Sequence, residues 1–209
     1  MTMWGTFLIA MPAVLFIVDP IGVVPLFVAM TANDSPAKCR STALRASVAA
    51  MAVLVFFALF GTVIFKVFGV TLAAFRVAGG LLLMLTALDM LRAQHPATKT
   101  SPEETKEGVE QEDIAIVPLA MPLLAGPGAI ATVMVLMAEY GGEWLGAVIV
   151  ITCIAITFFI TYLLLRSANL VKRVLKQTGI AILERVFGLI LAAIAVQFVF
   201  EGGKALLKG

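Results

Sequence analysis

The chain has 209 residues, of which 61% are hydrophobic and 13% charged, and its formal net charge is +2. A mean hydropathy of +1.06 means more apolar surface than a soluble domain of this length can bury, so the sequence predicts a protein dissolved in lipid. No basic run is interleaved with aromatic residues, which excludes nucleic acid as a partner. The lipid bilayer is therefore the first predicted partner.

Six apolar stretches follow one another along the chain, and each has about the 20 residues needed to cross a bilayer core of roughly 30 Å. They cover residues 4–31, 43–67, 70–91, 114–137, 144–165 and 180–207. The sequence thus predicts an all-α membrane protein with six transmembrane helices, here called spans one to six. Residues 93–113 are polar and are predicted to form a cytoplasmic linker within a single integral membrane domain.

The cluster Asn33-Asp34-Ser35-Pro36 separates spans one and two. Serine is a preferred helix N-cap and proline is favoured in the first helical turn. Span two is therefore predicted to begin at this cluster, with its first basic turns outside the lipid.

Lysine and arginine are unequally distributed among the five connections between spans. The second connection holds only Lys66 and the fourth holds none, whereas the other three hold Lys38, Arg40, Arg45, Arg92, Lys99, Lys106, Arg166, Lys172, Arg173 and Lys176. Cytoplasmic connections carry such an excess. The sequence predicts a multi-pass membrane protein with both termini outside the cytoplasm.

Three spans in each half place the two halves in opposite orientations, which predicts two inverted three-helix repeats, 1–92 and 114–209. Short motifs support this arrangement. Ala10-Met11-Pro12 in span one matches Ala120-Met121-Pro122 in span four, and Arg76-Val77-Ala78-Gly79 in span three matches Arg185-Val186-Phe187-Gly188 in span six. We expect the two halves to form one internal repeat.

Spans one and four each contain prolines and glycines that favour a break. Asp19-Pro20-Ile21-Gly22, followed by Pro25, interrupts span one, and Ala125-Gly126-Pro127-Gly128-Ala129 interrupts span four. Proline removes an amide donor and glycine lets the backbone leave the helical conformation. Because unpaired backbone groups cost several kcal/mol each in hydrocarbon, two facing breaks predict a small polar chamber. The alternative is that both breaks are kinks that serve helix packing.

Such a chamber would suit a zwitterion. Amides at the start of each second half-helix favour a carboxylate, and unwound carbonyls favour an ammonium group or a cation. The predicted substrate-binding residues are Asp19, Pro20, Ile21, Gly22, Val23, Pro25, Ala125, Gly126, Pro127, Gly128, Ala129, Arg76 and Arg185.

Three ionisable residues in these spans each have two interpretations. Asp19 could be a helix N-cap, or it could couple transport to H⁺ or Na⁺, because an intramembrane charge needs a partner. Arg76 and Arg185 could reach the site or could extend to the membrane surface.

Cys39 and Cys153 have no histidine or second cysteine at ligand spacing. No metal site, cofactor or enzymatic activity is predicted.

These residues resemble the MarC family of inner-membrane proteins, which includes small neutral amino-acid transporters. The resemblance covers nearly the whole chain and is carried by residues 16–27, 118–130, 76–80 and 184–188. It implies six helices in an inverted repeat, with helices one and four discontinuous around a glycine- or alanine-like substrate and transport linked to a cation gradient. Val23 departs from the asparagine that many members have there, which removes a polar side chain from the expected site.

The predicted function is therefore a secondary transporter or exporter of a small solute, most simply a small neutral amino acid. A small-solute channel is the alternative within transport. A further alternative is a membrane protein associated with antibiotic resistance that does not itself transport drugs. Substrate identity, direction, coupling ion and oligomeric state are not specified by the sequence.

Overall fold

The computed structural model describes residues 3–92 and 115–207, and these residues are almost entirely helical. The helices of the first half are α1 (Met3–Val18), α2 (Pro20–Met30), α3 (Pro36–Phe68) and α4 (Leu72–Leu91). The second half begins with an irregular helical segment, Ala115–Leu124, here called the proline-rich segment. It continues with α5 (Pro127–Tyr140), α6 (Trp144–Arg166) and α7 (Ala168–Leu206). The predicted linker, 93–113, lies outside the described residues.

Within these described ranges, five helical spans are long and apolar enough to cross a membrane. They are α1 together with α2, then α3, α4, α6 and α7. The proline-rich segment and α5 meet at 59° and form a sixth span when counted together. The predicted all-α membrane fold is confirmed, and span four is the one that bends.

The start of α3 confirms the predicted helix cap. Ser35 has an extended backbone, its Oγ accepts from the Lys38 amide at 3.3 Å, and Pro36 is the first helical residue. The helix continues for 33 residues, about 50 Å, so its first turns extend beyond a hydrocarbon core of roughly 30 Å. It ends at Gly69, whose φ of 64° is the left-handed conformation that favours glycine in a helix C-cap.

The most extensive packing joins α4 to α7, and glycine makes it close. An added Cβ at Gly80 would lie 2.9 Å from the Ala195 carbonyl oxygen, and one at Gly202 would lie 2.8 Å from the Ala73 carbonyl oxygen. At Gly188 the corresponding distance is 3.0 Å, to the carbonyl oxygen of Ala87. The helices are therefore antiparallel and in near backbone contact along about 20 Å, which is how membrane helices associate without a hydrophobic driving force.

The remaining helices surround the two broken spans. α1 packs on α6 and the proline-rich segment packs on α3, while α2 packs on α7 and α5 packs on α4. α3 and α6 also contact each other directly. Both broken spans therefore lie between the continuous helices, and their breaks are enclosed by protein.

α7 is longer than span six of the sequence. It begins at Ala168, where 180 was expected, and Lys176 interrupts it with a φ of 52° and a ψ of −179°. The residues before this interruption carry Lys172 and Arg173 on an exposed surface. The apolar pattern identified only the apolar part of the helix.

Candidate functional site

The break in span one is a single residue. α1 ends at Val18, α2 starts at Pro20, and Asp19 between them has φ 51° and ψ 64°. The Asp19 amide still donates to the Leu15 carbonyl at 3.0 Å, so α1 is complete up to the break. Aspartate is one of the few residues other than glycine that adopts this left-handed conformation readily. The unwound stretch is therefore shorter than the four residues that the sequence predicted.

The Asp19 carboxylate caps α2. Oδ1 accepts a hydrogen bond from the Gly22 amide at 3.1 Å, and the residue is only 4% exposed. Pro20 follows at the first helical position, where a missing amide has no cost. The capping interpretation of Asp19 is thus observed, and its role in ion coupling stays a prediction.

Gly22 leaves the space that this carboxylate occupies. A Cβ at Gly22 would collide with Asp19 Oδ2 and would lie 2.9 Å from Glu184 Oε1. Glu184 in α7 therefore reaches the start of α2, and two carboxylates converge beside Gly22. Glu184 is not among the site residues predicted from the sequence.

The break in span four is longer and more irregular. Gly126 has an extended backbone, Pro127 starts α5, and no side chain caps this helix. Upstream, Val117 and Met121 are also extended, and each precedes a proline through a cis peptide bond. A residue before proline is disfavoured in the helical conformation, which accounts for both positions. The irregular backbone thus extends further toward the linker than the predicted break at 125–129.

The two breaks lie side by side. A Cβ at Gly128, in the first turn of α5, would lie 3.1 Å from Ile17 Cδ1 and 3.8 Å from Thr86 Oγ1. Ile17 is two residues before Asp19 in sequence, so the start of α5 adjoins the end of α1. α1 extends about 24 Å on one side of the first break and α2 about 16 Å on the other. Two helix N-termini therefore meet deep in the span.

The other predicted residues of the two breaks are mostly enclosed. Pro20, Val23, Ala125, Gly126, Gly128 and Ala129 are buried, Ile21, Gly22 and Pro25 are half-buried, and Pro127 is exposed. Val23 is 4% exposed and belongs to the hydrophobic core. The departure from asparagine at this position thus places an apolar side chain in the packing beside the break.

Two threonines near the breaks bond their own helices. Thr132 Oγ1 donates to the Gly128 carbonyl at 2.8 Å, and Thr86 Oγ1 donates to the Leu82 carbonyl at 3.1 Å. Such bonds satisfy the hydroxyl within the helix. The Thr132 bond also occupies the Gly128 carbonyl, so the polarity of this break comes chiefly from amides at the start of α5.

Arg76 is paired with acidic residues away from the two breaks, and the structure does not bring it to them. Its guanidinium forms ion pairs with Glu139 and with Glu201, the latter at 3.2 Å, and thereby joins α4, α5 and α7. Ten residues of helix, about 15 Å, separate it from Thr86. Arg185 is exposed on α7. This exposure fits a side chain that extends to the membrane surface better than one that reaches the site.

The described residues contain no group of three or more histidine, cysteine, aspartate or glutamate side chains that could hold a metal ion. Asp19 and Glu184 are two carboxylates, which can attract an ammonium group, a proton or a monovalent cation. Within the described residues, the arrangement therefore offers acidic oxygens at one break and a helix start without a side-chain cap at the other.

Comparison with known proteins places the chain in a family. The family described as "MarC family integral membrane protein" matches residues 4–207. A UPF0056 membrane protein of Methanocaldococcus jannaschii is 43% identical over 94% of this chain and 95% of its own length. One from Aquifex aeolicus is 39% identical over 97% and 94%, and YhcE of Escherichia coli is 35% identical over 92% and 89%. No solved structure matches. The chain belongs to the MarC family of integral membrane proteins.

Proposed function

We propose that this protein is a secondary transporter of small neutral amino acids, which bind between the two breaks. The observation that carries the proposal is the contact between the start of α5 and the end of α1, through Gly128 and Ile17. Two interrupted membrane helices that adjoin deep in the span are the usual site architecture of secondary transporters. A packing kink would not require a second kink beside it.

The two helix N-termini differ in a way that suits a zwitterion. The first amides of α5 have no side-chain cap, and the first amides of a helix have no partner within it. They therefore offer hydrogen bonds and the positive dipole end to a carboxylate. The start of α2 is already occupied by Asp19, and this carboxylate adds negative charge for an ammonium group. An amino acid would bridge the two breaks.

The packing order supports an inverted repeat behind this site. In an inverted repeat, α1 corresponds to the proline-rich segment, α2 to α5, α3 to α6, and α4 to α7. The contact between α1 and α6 then corresponds to the contact between the proline-rich segment and α3. The contact between α2 and α7 corresponds in the same way to the contact between α5 and α4. All four contacts are observed. Halves related in this way provide two similar conformations for alternating access.

The proposal is tested by counterflow in proteoliposomes. Vesicles loaded with unlabelled glycine or alanine should take up the labelled amino acid faster than empty vesicles, with saturation. Uptake that neither saturates nor responds to internal substrate would indicate a channel. Absence of any flux, for these and for a panel of other amino acids, would refute transport of this substrate class.

Coupling is tested at Asp19. Asn caps helices about as well as Asp and also tolerates the left-handed conformation, so Asp19→Asn should keep the fold and measurable exchange. It should lose accumulation driven by a proton or sodium gradient, because the amide does not titrate and attracts cations weakly. Glu143→Gln, at an exposed position before α6, is the matched control. Full accumulation by Asp19→Asn would leave the carboxylate with capping alone.

A further inference from the structure

A cavity lies at the end of α2 opposite to the break at Asp19. It has a volume of about 430 Å³ and is enclosed by the end of α2, the first turn of α3 and the junction of α6 with α7. Its polar lining includes Asp34, Arg40, Arg166 and Asn169, and Val28 and Ala32 contribute apolar surface. The volume is in the range of pockets that hold organic molecules, and it greatly exceeds the size of one water.

The charges in this cavity are unbalanced toward positive. The only acid in its lining, Asp34, is held by Lys38 at 2.7 Å. Within residues 3–92 and 115–207, neither Arg40 nor Arg166 forms an ion pair, and the Arg166 guanidinium has one long hydrogen bond of 3.4 Å, to the Tyr162 hydroxyl. Two guanidinium groups thus face the cavity with most of their donors available.

An uncapped helix N-terminus adds to this positive character. The first turn of α7 lines the cavity through Asn169, whereas the start of α3 lines it through Pro36, which has no amide, and is already capped by Ser35. No side chain caps α7, because the Ser167 hydroxyl bonds back to the Leu163 carbonyl at 2.6 Å. Arginine forks and helix N-termini are both preferred partners of phosphate oxygens. The cavity therefore has the chemistry of a phosphate site.

The depth of the cavity favours a lipid phosphate. α2 carries the chain about 16 Å from Pro20 to Met30, close to half of a hydrocarbon core of roughly 30 Å. If the breaks lie near the midplane, as the proposed function places them, the cavity opens where phospholipid headgroups lie. Its mixed lining also suits a headgroup that carries a glycerol backbone. We propose that this cavity binds the phosphodiester of an anionic phospholipid.

The test compares lipids with the same acyl chains on the detergent-purified full chain. Native mass spectrometry and thermal unfolding should show that phosphatidylglycerol binds and raises the unfolding temperature, whereas phosphatidylcholine does neither. The double variant Arg40→Gln/Arg166→Gln should weaken phosphatidylglycerol binding at least tenfold. Lys172→Gln/Arg173→Gln removes two charges from exposed neighbouring positions outside the cavity, and it should change binding less than twofold.

Three results would overturn the proposal. Equal losses in the two double variants would mean diffuse attraction to basic residues. Equal binding of the two lipids, which share the phosphodiester and differ in the choline cation, would mean that the cavity does not select a headgroup of net negative charge. Glycerophosphoglycerol, which lacks acyl chains, distinguishes the source: if it binds as tightly as the lipid, the occupant is a free phosphate ester. If the glutamine variant fails to fold, Arg40→Lys/Arg166→Lys keeps both positive charges but removes the planar guanidinium groups, and it should still weaken binding. None of these readouts depends on transport, so the proposal can fail independently of the proposed function.

Discussion

Replacing Gly22 by alanine is the sharpest perturbation of the first break. The new Cβ would collide with Asp19 Oδ2 and approach Glu184 Oε1 to 2.9 Å, so both carboxylates must move. When Asp19 turns away, the hydrogen bond to the Gly22 amide is lost, at about 1 kcal/mol for a helix cap. The buried carboxylate is also displaced from its present polar surroundings, at about 1–3 kcal/mol. We expect Gly22→Ala to destabilise the protein by about 2–4 kcal/mol.

The assay is equilibrium or thermal unfolding in detergent, combined with amino-acid counterflow. Gly203→Ala is the matched control, because Gly203 is also helical and a Cβ there meets no atom within 4 Å; its stability should stay within about 1 kcal/mol, with alanine favoured in the helix. The Asp19→Ala background gives the decisive comparison, since it removes the carboxylate that the methyl group displaces. If Gly22→Ala costs as much in that background as in the wild type, the Asp19 collision is not its cause.

Three further predictions concern the second break, the ion pairs of Arg76 with Glu139 and Glu201, and the orientation of the protein in the membrane. Gly128→Leu should abolish glycine counterflow while the protein still inserts, because the side chain would enter the contact with Ile17; wild-type affinity in an inserted variant would remove the start of α5 from the site. Arg76→Gln should lower stability by about 1 kcal/mol, measured by unfolding, and leave substrate affinity unchanged, since Arg76 is about 15 Å from Thr86. A membrane-impermeant maleimide should label Cys39 in inverted vesicles and not in intact cells, with Cys39→Ser as the blank, and the opposite pattern would reverse the predicted topology.

The fold could be predicted from the sequence wherever a single physical requirement determines the local structure. Apolar length located the spans because a bilayer core has a fixed thickness. The Ser35-Pro36 cap was recognisable because the missing amide of proline and the serine acceptor both fit a helix start. The early start of α7 was missed since residues 168–179 are basic and exposed, and apolar pattern carries no information about helix outside the lipid.

The candidate site was only partly predictable for a different reason. The breaks at Asp19-Pro20 and Gly126-Pro127 were predictable, because proline removes a helical hydrogen bond wherever it occurs. The extended residues Val117 and Met121 had an equally local signal, the proline that follows each of them. Glu184 had none, because its approach to Gly22 depends on how α7 is positioned against α2. That position is set by the distant glycine contacts between α7 and α4.

The unequal capping of the two breaks bears on how a substrate could be released. Asp19 caps the start of α2 without a ligand, so this break does not need a substrate to satisfy the Gly22 amide. Among the described residues no side chain caps the start of α5, so its first amides are available to water or to a substrate carboxylate. Under the proposed function, binding would therefore stabilise the second break more than the first, and the irregular proline-rich segment lies next to it. Since a ligand shifts a conformational equilibrium only through differential affinity, the second broken span is the one whose conformation a bound amino acid would control.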